Sequence, residues 1–140
     1  MEGGTPNSVG IVGLKEGVEF IVGEGLEKIQ AHERLLVKKL REELKQIPGI
    51  KLHGTDDITK SAAPVSFTIE GIEPQEFSIV LDQSFHIAVR AGLHCAPLMH
   101  ETLGTAPQGS IRFSPGYFNT LDEIDQAVRA VREIQSQMAV

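Results

Sequence analysis

A single cysteine, Cys95, is all the sulfur chemistry this chain has beyond methionine, so no disulfide can brace it internally and a disulfide-stapled secreted scaffold is excluded. That cysteine usage fits a reducing compartment, and a cytoplasmic location is expected. Tryptophan is absent and tyrosine occurs once. No run of residues nears the roughly 18 consecutive apolar positions of a membrane helix, and no basic-then-apolar leader opens the sequence. Neither a membrane span nor a membrane partner is therefore expected. Positive charge is also in short supply: 13 Lys and Arg stand against 19 Asp and Glu, a net charge of −6. This argues against a nucleic-acid backbone as the main partner. It leaves room for a local cationic site that takes a small anion. Repeats and low-complexity tracts are missing as well. What remains is the ordinary composition of one compact domain, or one domain with an appendage, with 41% apolar and 23% charged residues in 140.

The periodicity predicts an α/β-mixed chain, about three short strands covered by helices. Thr5 reads as a helix N-cap with Pro6 in the first helical position, followed by Ile11, Leu14, Val18, Ile21 and Val22 at helical spacing. Gly23 and Gly25 interrupt, and a second helix carries Leu26, Ile29, Leu36, Leu40 and Leu44 up to the stop at Pro48-Gly49. Lys51 to Ala63 has the least pattern and is expected to be a mobile loop. Val65, Phe67 and Ile69 alternate with polar residues, as a half-buried strand does. Pro74 starts a short helix. His86 to Arg90 and Ser110 to Ser114 read as two more strands, separated by a short helical turn over Leu98 to Leu103. Thr120 and Glu123 form a capping box ahead of a last helix whose Ile124, Ala127, Val128, Val131, Ile134 and Met138 share one side.

Three places carry chemistry. Cys95 lies in RAGLHCAP, beside Gly92, His94 and Pro97 and five residues after an arginine; a tight loop beside positive charge exposes sulfur and favours the thiolate. A small buried core residue is the competing account of a lone cysteine. Arg90 and Arg112 each alternate with apolar neighbours on their strands, so both guanidinium groups leave the apolar layer and can converge on one polar face. Arginine is suited to bidentate capture of a carboxylate, although a solvated arginine is an equally simple reading. Gly3 to Asn7, GGTPN, places glycines and the Thr5 hydroxyl ahead of a helix N-terminus, where backbone N–H groups favour an anion such as phosphate; Thr-Pro is also a common helix start. Cys95, His94 and His100 match no closed zinc spacing, so no metal site is expected.

Taken in order, EGGTPNSVGIVGL, RAGLHCAP and SIRFSPGYFNTLDEID resemble segments of the C-terminal part of cysteine desulfurases, the pyridoxal-phosphate enzymes of the class V aminotransferase group. The resemblance covers nearly the whole chain. It implies a small α+β domain like the C-terminal domain of fold type I transferases, with residues 1–22 ending the large cofactor-binding domain and 23–140 forming the small domain. It implies Cys95 as the nucleophile that takes sulfur from L-cysteine, leaving alanine and a cysteine persulfide. Arg112 becomes the binder of the substrate carboxylate, with Arg90 beside the same pocket. Thr5 becomes a donor to the pyridoxal 5'-phosphate group across a homodimer interface, and His94 a group that could tune Cys95. A sulfur-acceptor protein, as in iron-sulfur cluster assembly, is the implied partner. The short connection from Arg90 to Arg112 resembles the compact-loop branch, in which the cysteine is partly sheltered. Leu93 stands where a histidine often precedes the His-Cys pair, which leaves substrate preference open.

One requirement of the resemblance is not met within the chain. The family holds its cofactor on a lysine in a Ser-x-His-Lys context, and Lys15, Lys28, Lys38, Lys39, Lys45, Lys51 and Lys60 all stand in other contexts. The chain is therefore expected to be a C-terminal piece that by itself neither holds the cofactor tightly nor turns over cysteine. A selenocysteine lyase or another class V aminotransferase-like enzyme, and a cofactor-free sulfur-carrier or interaction domain, remain alternatives.

Overall fold

In the computed structural model, residues 3–61 and 63–138 are described. They fall into two units, Met1–His32 and Glu33–Val140. The first contains helix α1 (Ser8–Glu24) and the start of α2 (Leu26–Leu44), which crosses the division. The second continues through strands β1 (Ile50–His53) and β2 (Val65–Ile69), helix α3 (Pro74–Phe85), strand β3 (Arg90–Gly92), helix α4 (Pro97–Leu103), strand β4 (Ser110–Phe113) and helix α5 (Leu121–Met138).

The cap of α1 is not Thr5. Asn7 holds that place, its side-chain oxygen accepting the Gly10 N–H at 3.0 Å, and the helix begins one residue later. Asparagine outranks threonine as an N-cap, and it leaves Thr5 exposed two residues upstream. The apolar residues of α1 recur at helical spacing as expected, yet no residue of that helix is buried within the chain.

The sheet has four strands in the order β1-β2-β4-β3, all neighbours antiparallel. The additional strand, β1, lies in the stretch expected to be a mobile loop. Ile50 and Leu52 face Ile69 and Phe67 across the ladder, so a partner that sequence spacing cannot reveal makes this segment a strand. The second expected strand is displaced. His86 ends α3 in a left-handed conformation, and residues 86–89 run without ladder pairing before β3 starts at Arg90. Ile87 and Val89 still pack on the core, which is why the segment alternates like a strand.

One face of the sheet is apolar. Val65, Phe67, Ile111 and Phe113 are buried there against Phe77 and Leu81 of α3, Leu36, Leu40 and Leu44 of α2, and Val128 and Val131 of α5. Phe67 stacks on Phe113 with centroids 5.7 Å apart and meets Phe77 edge-on at 6.3 Å, both favoured aromatic arrangements. The capping box of α5 forms as expected: Glu123 N–H donates to the Thr120 hydroxyl, and Thr120 N–H donates to the Glu123 carboxylate. With α2, α3 and α5 on one face, the opposite face carries polar side chains. On it, His53 stands opposite Ser66, Ser66 opposite Arg112, and Arg112 opposite Arg90, a polar row that crosses all four strands.

Candidate active site

The two arginines converge because of register. Arg90 on β3 and Arg112 on β4 are direct cross-strand partners, and such residues project on the same side of an antiparallel pair. Two steps further along, Gly92 pairs with Ser110. This end of the ladder is closed by glycine. A Cβ built on Gly109, whose φ is +84°, would stand 2.1 Å from the carbonyl carbon and oxygen of Gly92. A side chain has no room there, so the close approach of the two backbones requires glycine at 109.

The chain leaves β3 through a tight turn that carries the thiol. Ala96 N–H donates to Leu93 O at 2.8 Å, and both residues between have positive φ, His94 at 51° and Cys95 at 62°. That is the φ pattern of a type I′ turn, which normally calls for Asn-Gly. Here two residues with β-carbons fill it, at a cost of about 1 kcal/mol or more each. Strain of this kind persists only where surrounding contacts impose it. Cys95→Gly is accordingly expected to be more stable than Cys95→Ala by about 1 kcal/mol, although glycine is normally the weaker residue. Chemical denaturation of the two variants checks this; equal stabilities would show that the turn is relaxed.

Two contacts impose the turn. Arg90 Nη2 donates to Cys95 Sγ at 3.4 Å, bringing a cation to the sulfur. His94 is fastened from the other side: its Nε2 lies 3.1 Å from Ser110 O and 3.2 Å from Ser110 Oγ. A carbonyl oxygen only accepts, so Nε2 carries the proton. The ring also faces His100 of α4, centroids 5.6 Å apart, and His100 Nδ1 is 2.7 Å from the Thr105 hydroxyl. Cys95 itself is exposed in this chain, not sheltered.

Burial pushes the His94 pKa below its ordinary value of 6.5, and the nearby positive charge of Arg112 is the next cause. Burial likewise lowers His53, helped by Lys51 and His100. Both rings are thus held neutral under the polar face. A histidine with a lowered folded pKa favours the unfolded chain as soon as the latter takes up the proton. Its contribution is complete above about pH 6.5 and is lost as pH falls from there toward the folded value. Urea midpoints measured from about pH 7.5 down to about pH 5.5 should therefore decline below about 6.5. His53→Gln should flatten that decline; an unchanged slope would rule His53 out as a source.

Of the residues singled out from sequence, the structure brings Cys95, Arg90, His94 and Arg112 to one corner of the polar face. Thr5 belongs to the other unit. Sequence reasoning passed over Ser110, which holds His94, and Gly109, which allows the strands to meet. A glycine just before a strand was the local signal for Gly109; its positive φ is visible only in the structure. Among the described residues no group of three or more His, Cys, Asp or Glu is placed to hold a metal. None of the described helices is long and apolar enough to cross a membrane.

The class-V aminotransferase family profile matches residues 1–127. The chain belongs to the class-V aminotransferase family. A probable cysteine desulfurase of Xylella fastidiosa (strain 9a5c) is 35% identical over 134 residues, 96% of this chain but 31% of that protein. A cysteine desulfurase of Synechococcus elongatus is 37% identical over 135 residues, 96% of this chain and 21% of its own length. Among solved structures, the apo cysteine desulfurase of Thermococcus onnurineus NA1 superposes with a TM-score of 0.91 at 33% identity, covering 97% of this chain and 33% of that one. This class-V chain thus spans about a third or less of the relatives it matches.

Pyridoxal phosphate, which the family implies, requires an amine for covalent attachment. Lys15, Lys28, Lys38, Lys39, Lys45 and Lys60 are all engaged in ion pairs with carboxylates. Lys51 is exposed on β1. The thiol and guanidinium donors described above fit the substrate-facing part of such a site, and no lysine among the described residues fits the attachment.

Proposed function

We propose that this chain supplies the sulfur-accepting part of a pyridoxal-phosphate-dependent cysteine desulfurase. The observation that carries the reading is Cys95 held on a strained turn with Arg90 Nη2 at 3.4 Å from its sulfur and Arg112 directly across the ladder. The cofactor, when bound, supplies the electron sink that labilises the substrate's C–S bond. The work of this chain's residues is separate. Arg112 binds the carboxylate of L-cysteine, and bidentate capture fixes the substrate's orientation. Cys95, as thiolate, attacks the substrate sulfur. An S–S bond forms, the C–S bond breaks, and its electron pair stays with the carbon, which takes up a proton to give alanine. The persulfide remains on Cys95. Arg90 steadies negative charge on the sulfur before and after the attack. His94 acts on Cys95 by holding the turn, its protonated nitrogen being committed to Ser110. Thr5, exposed ahead of α1, serves the cofactor phosphate.

Residues 1–22 belong, in this reading, to the end of the large cofactor-binding domain and 23–140 to the small domain. A homodimer is supported by α1, whose Ile11, Leu14, Val18 and Ile21 are exposed within the chain. An exposed Cys95 followed by exposed Leu98 and Met99 supports handing the sulfur to an acceptor protein, as iron-sulfur cluster assembly requires. A free thiol that must stay reduced suits the cytoplasm. The test is alanine formation from L-cysteine by the full-length protein reconstituted with pyridoxal phosphate. Stoichiometric absence of alanine under those conditions would sink the proposal. The 140-residue chain alone, without an attachment lysine, should form none.

A further inference from the structure

Two buried polar atoms at this corner have no hydrogen-bond partner among the described residues: Nδ1 of His94 and Nε of Arg112. They are chemically complementary. Because His94 Nε2 donates to Ser110 O and the ring is neutral, Nδ1 presents a lone pair, while Arg112 Nε always carries a hydrogen. They also lie on one side of the sheet, and the charge of Arg112 reaches the His94 ring. Ser110, which anchors the ring, and Arg112 are two residues apart on β4, so their side chains leave the same face. Around the ring stand Arg112 on β4, Arg90 on β3 and His100 on α4, and none of these supplies a hydrogen to Nδ1. Buried donors and acceptors are rarely left unmade, and water is the usual bridge where no direct bond exists.

We propose that His94 is a positioning residue for Arg112: one water passes the Arg112 Nε–H to His94 Nδ1, turning the guanidinium's two outer nitrogens toward the pocket beside Cys95. With Nε tied inward, the outer pair is presented as a fork for a carboxylate. The turn that carries the thiol and the arginine that captures the substrate are then set by one imidazole, with Nε2 fixing the loop and Nδ1 fixing the arginine. This deepens the desulfurase reading and rests on it for the identity of the carboxylate.

The test separates the two nitrogens. His94→Gln offers an amide that can still donate to Ser110 O but has nothing at Nδ1. His94→Asn places an amide oxygen near Nδ1 but does not reach Ser110. In the 140-residue chain, hydrogen exchange of the Arg112 Nε–H, followed by NMR, should be at least about tenfold faster in His94→Gln than in wild type and remain slow in His94→Asn. Equal rates in wild type and His94→Gln would overturn the proposal. In the full-length enzyme, His94→Gln should raise KM for L-cysteine about tenfold with kcat nearly unchanged. A fall in kcat with KM unmoved would instead assign His94 to the loop alone and also overturn it. Should wild-type protein produce no alanine while the exchange result holds, the desulfurase reading fails and the positioning of Arg112 stands.

Discussion

Cys95→Ala in the full-length protein should lower sulfur release from L-cysteine by at least about a thousandfold, while leaving substrate binding within a few-fold of wild type. The size of the effect follows from the geometry. Among the described residues Cys95 is the only thiol, and the groups around it are guanidinium and imidazole side chains that bind or orient but cannot accept sulfur. No neighbour can stand in. Binding should persist because the carboxylate is assigned to Arg112, which stands on β4 and whose positioning by His94 does not use the thiol. Alanine production and the dissociation constant for a non-reactive amino acid, measured on the same variant, check the two halves. A variant that keeps a tenth or more of the wild-type rate would show that sulfur leaves by a route that does not use Cys95.

The second large effect concerns backbone, not chemistry. Gly109→Ala should destabilise the chain by about 3 kcal/mol or more, from backbone strain of about 1 to 3 kcal/mol plus a steric term of similar size. The added Cβ meets the Gly92 carbonyl carbon and oxygen at 2.1 Å, and backbone cannot swing aside as a flexible side chain can. Relief requires β3 to part from β4 where Gly92 pairs with Ser110. That separation moves Leu93, the residue that opens the Cys95 turn, and pulls His94 from Ser110. Stability and site should therefore fail together. Urea denaturation alongside alkylation of Cys95 in the folded variant gives both readings. A loss under about 1 kcal/mol would mean that the two strands do not run as closely as described.

Much of this is legible in the sequence, and what is not shares one cause. Alternation placed β2 and β4 and put Arg90 and Arg112 off the apolar layer, because burial on one face imposes a period of two. It could not show that the two arginines face one another, since register depends on which strands pair. β1 escaped for the same reason: Ile50 and Leu52 are only two apolar positions, and their partners Ile69 and Phe67 lie well over a dozen residues away. In residues 86–89 the pattern reported burial correctly and pairing wrongly. Thr5 lost the cap to Asn7 over a distance of two residues, with both residue types suited to it. Cys95 stands out in the sequence through its neighbours and through the resemblance, and its role remains the proposal above. That it sits at positive φ, and that His94 turns its proton to Ser110, became visible only when β3 and β4 were brought together.

The most direct measurement is mass analysis of the peptide containing Cys95 after the full-length, cofactor-loaded protein is mixed briefly with L-cysteine and trapped with an alkylating agent. A persulfide, one additional sulfur on Cys95, at close to one per active site and accompanied by an equal amount of alanine, is the predicted result. Alanine formed with Cys95 carrying no added sulfur would contradict the account.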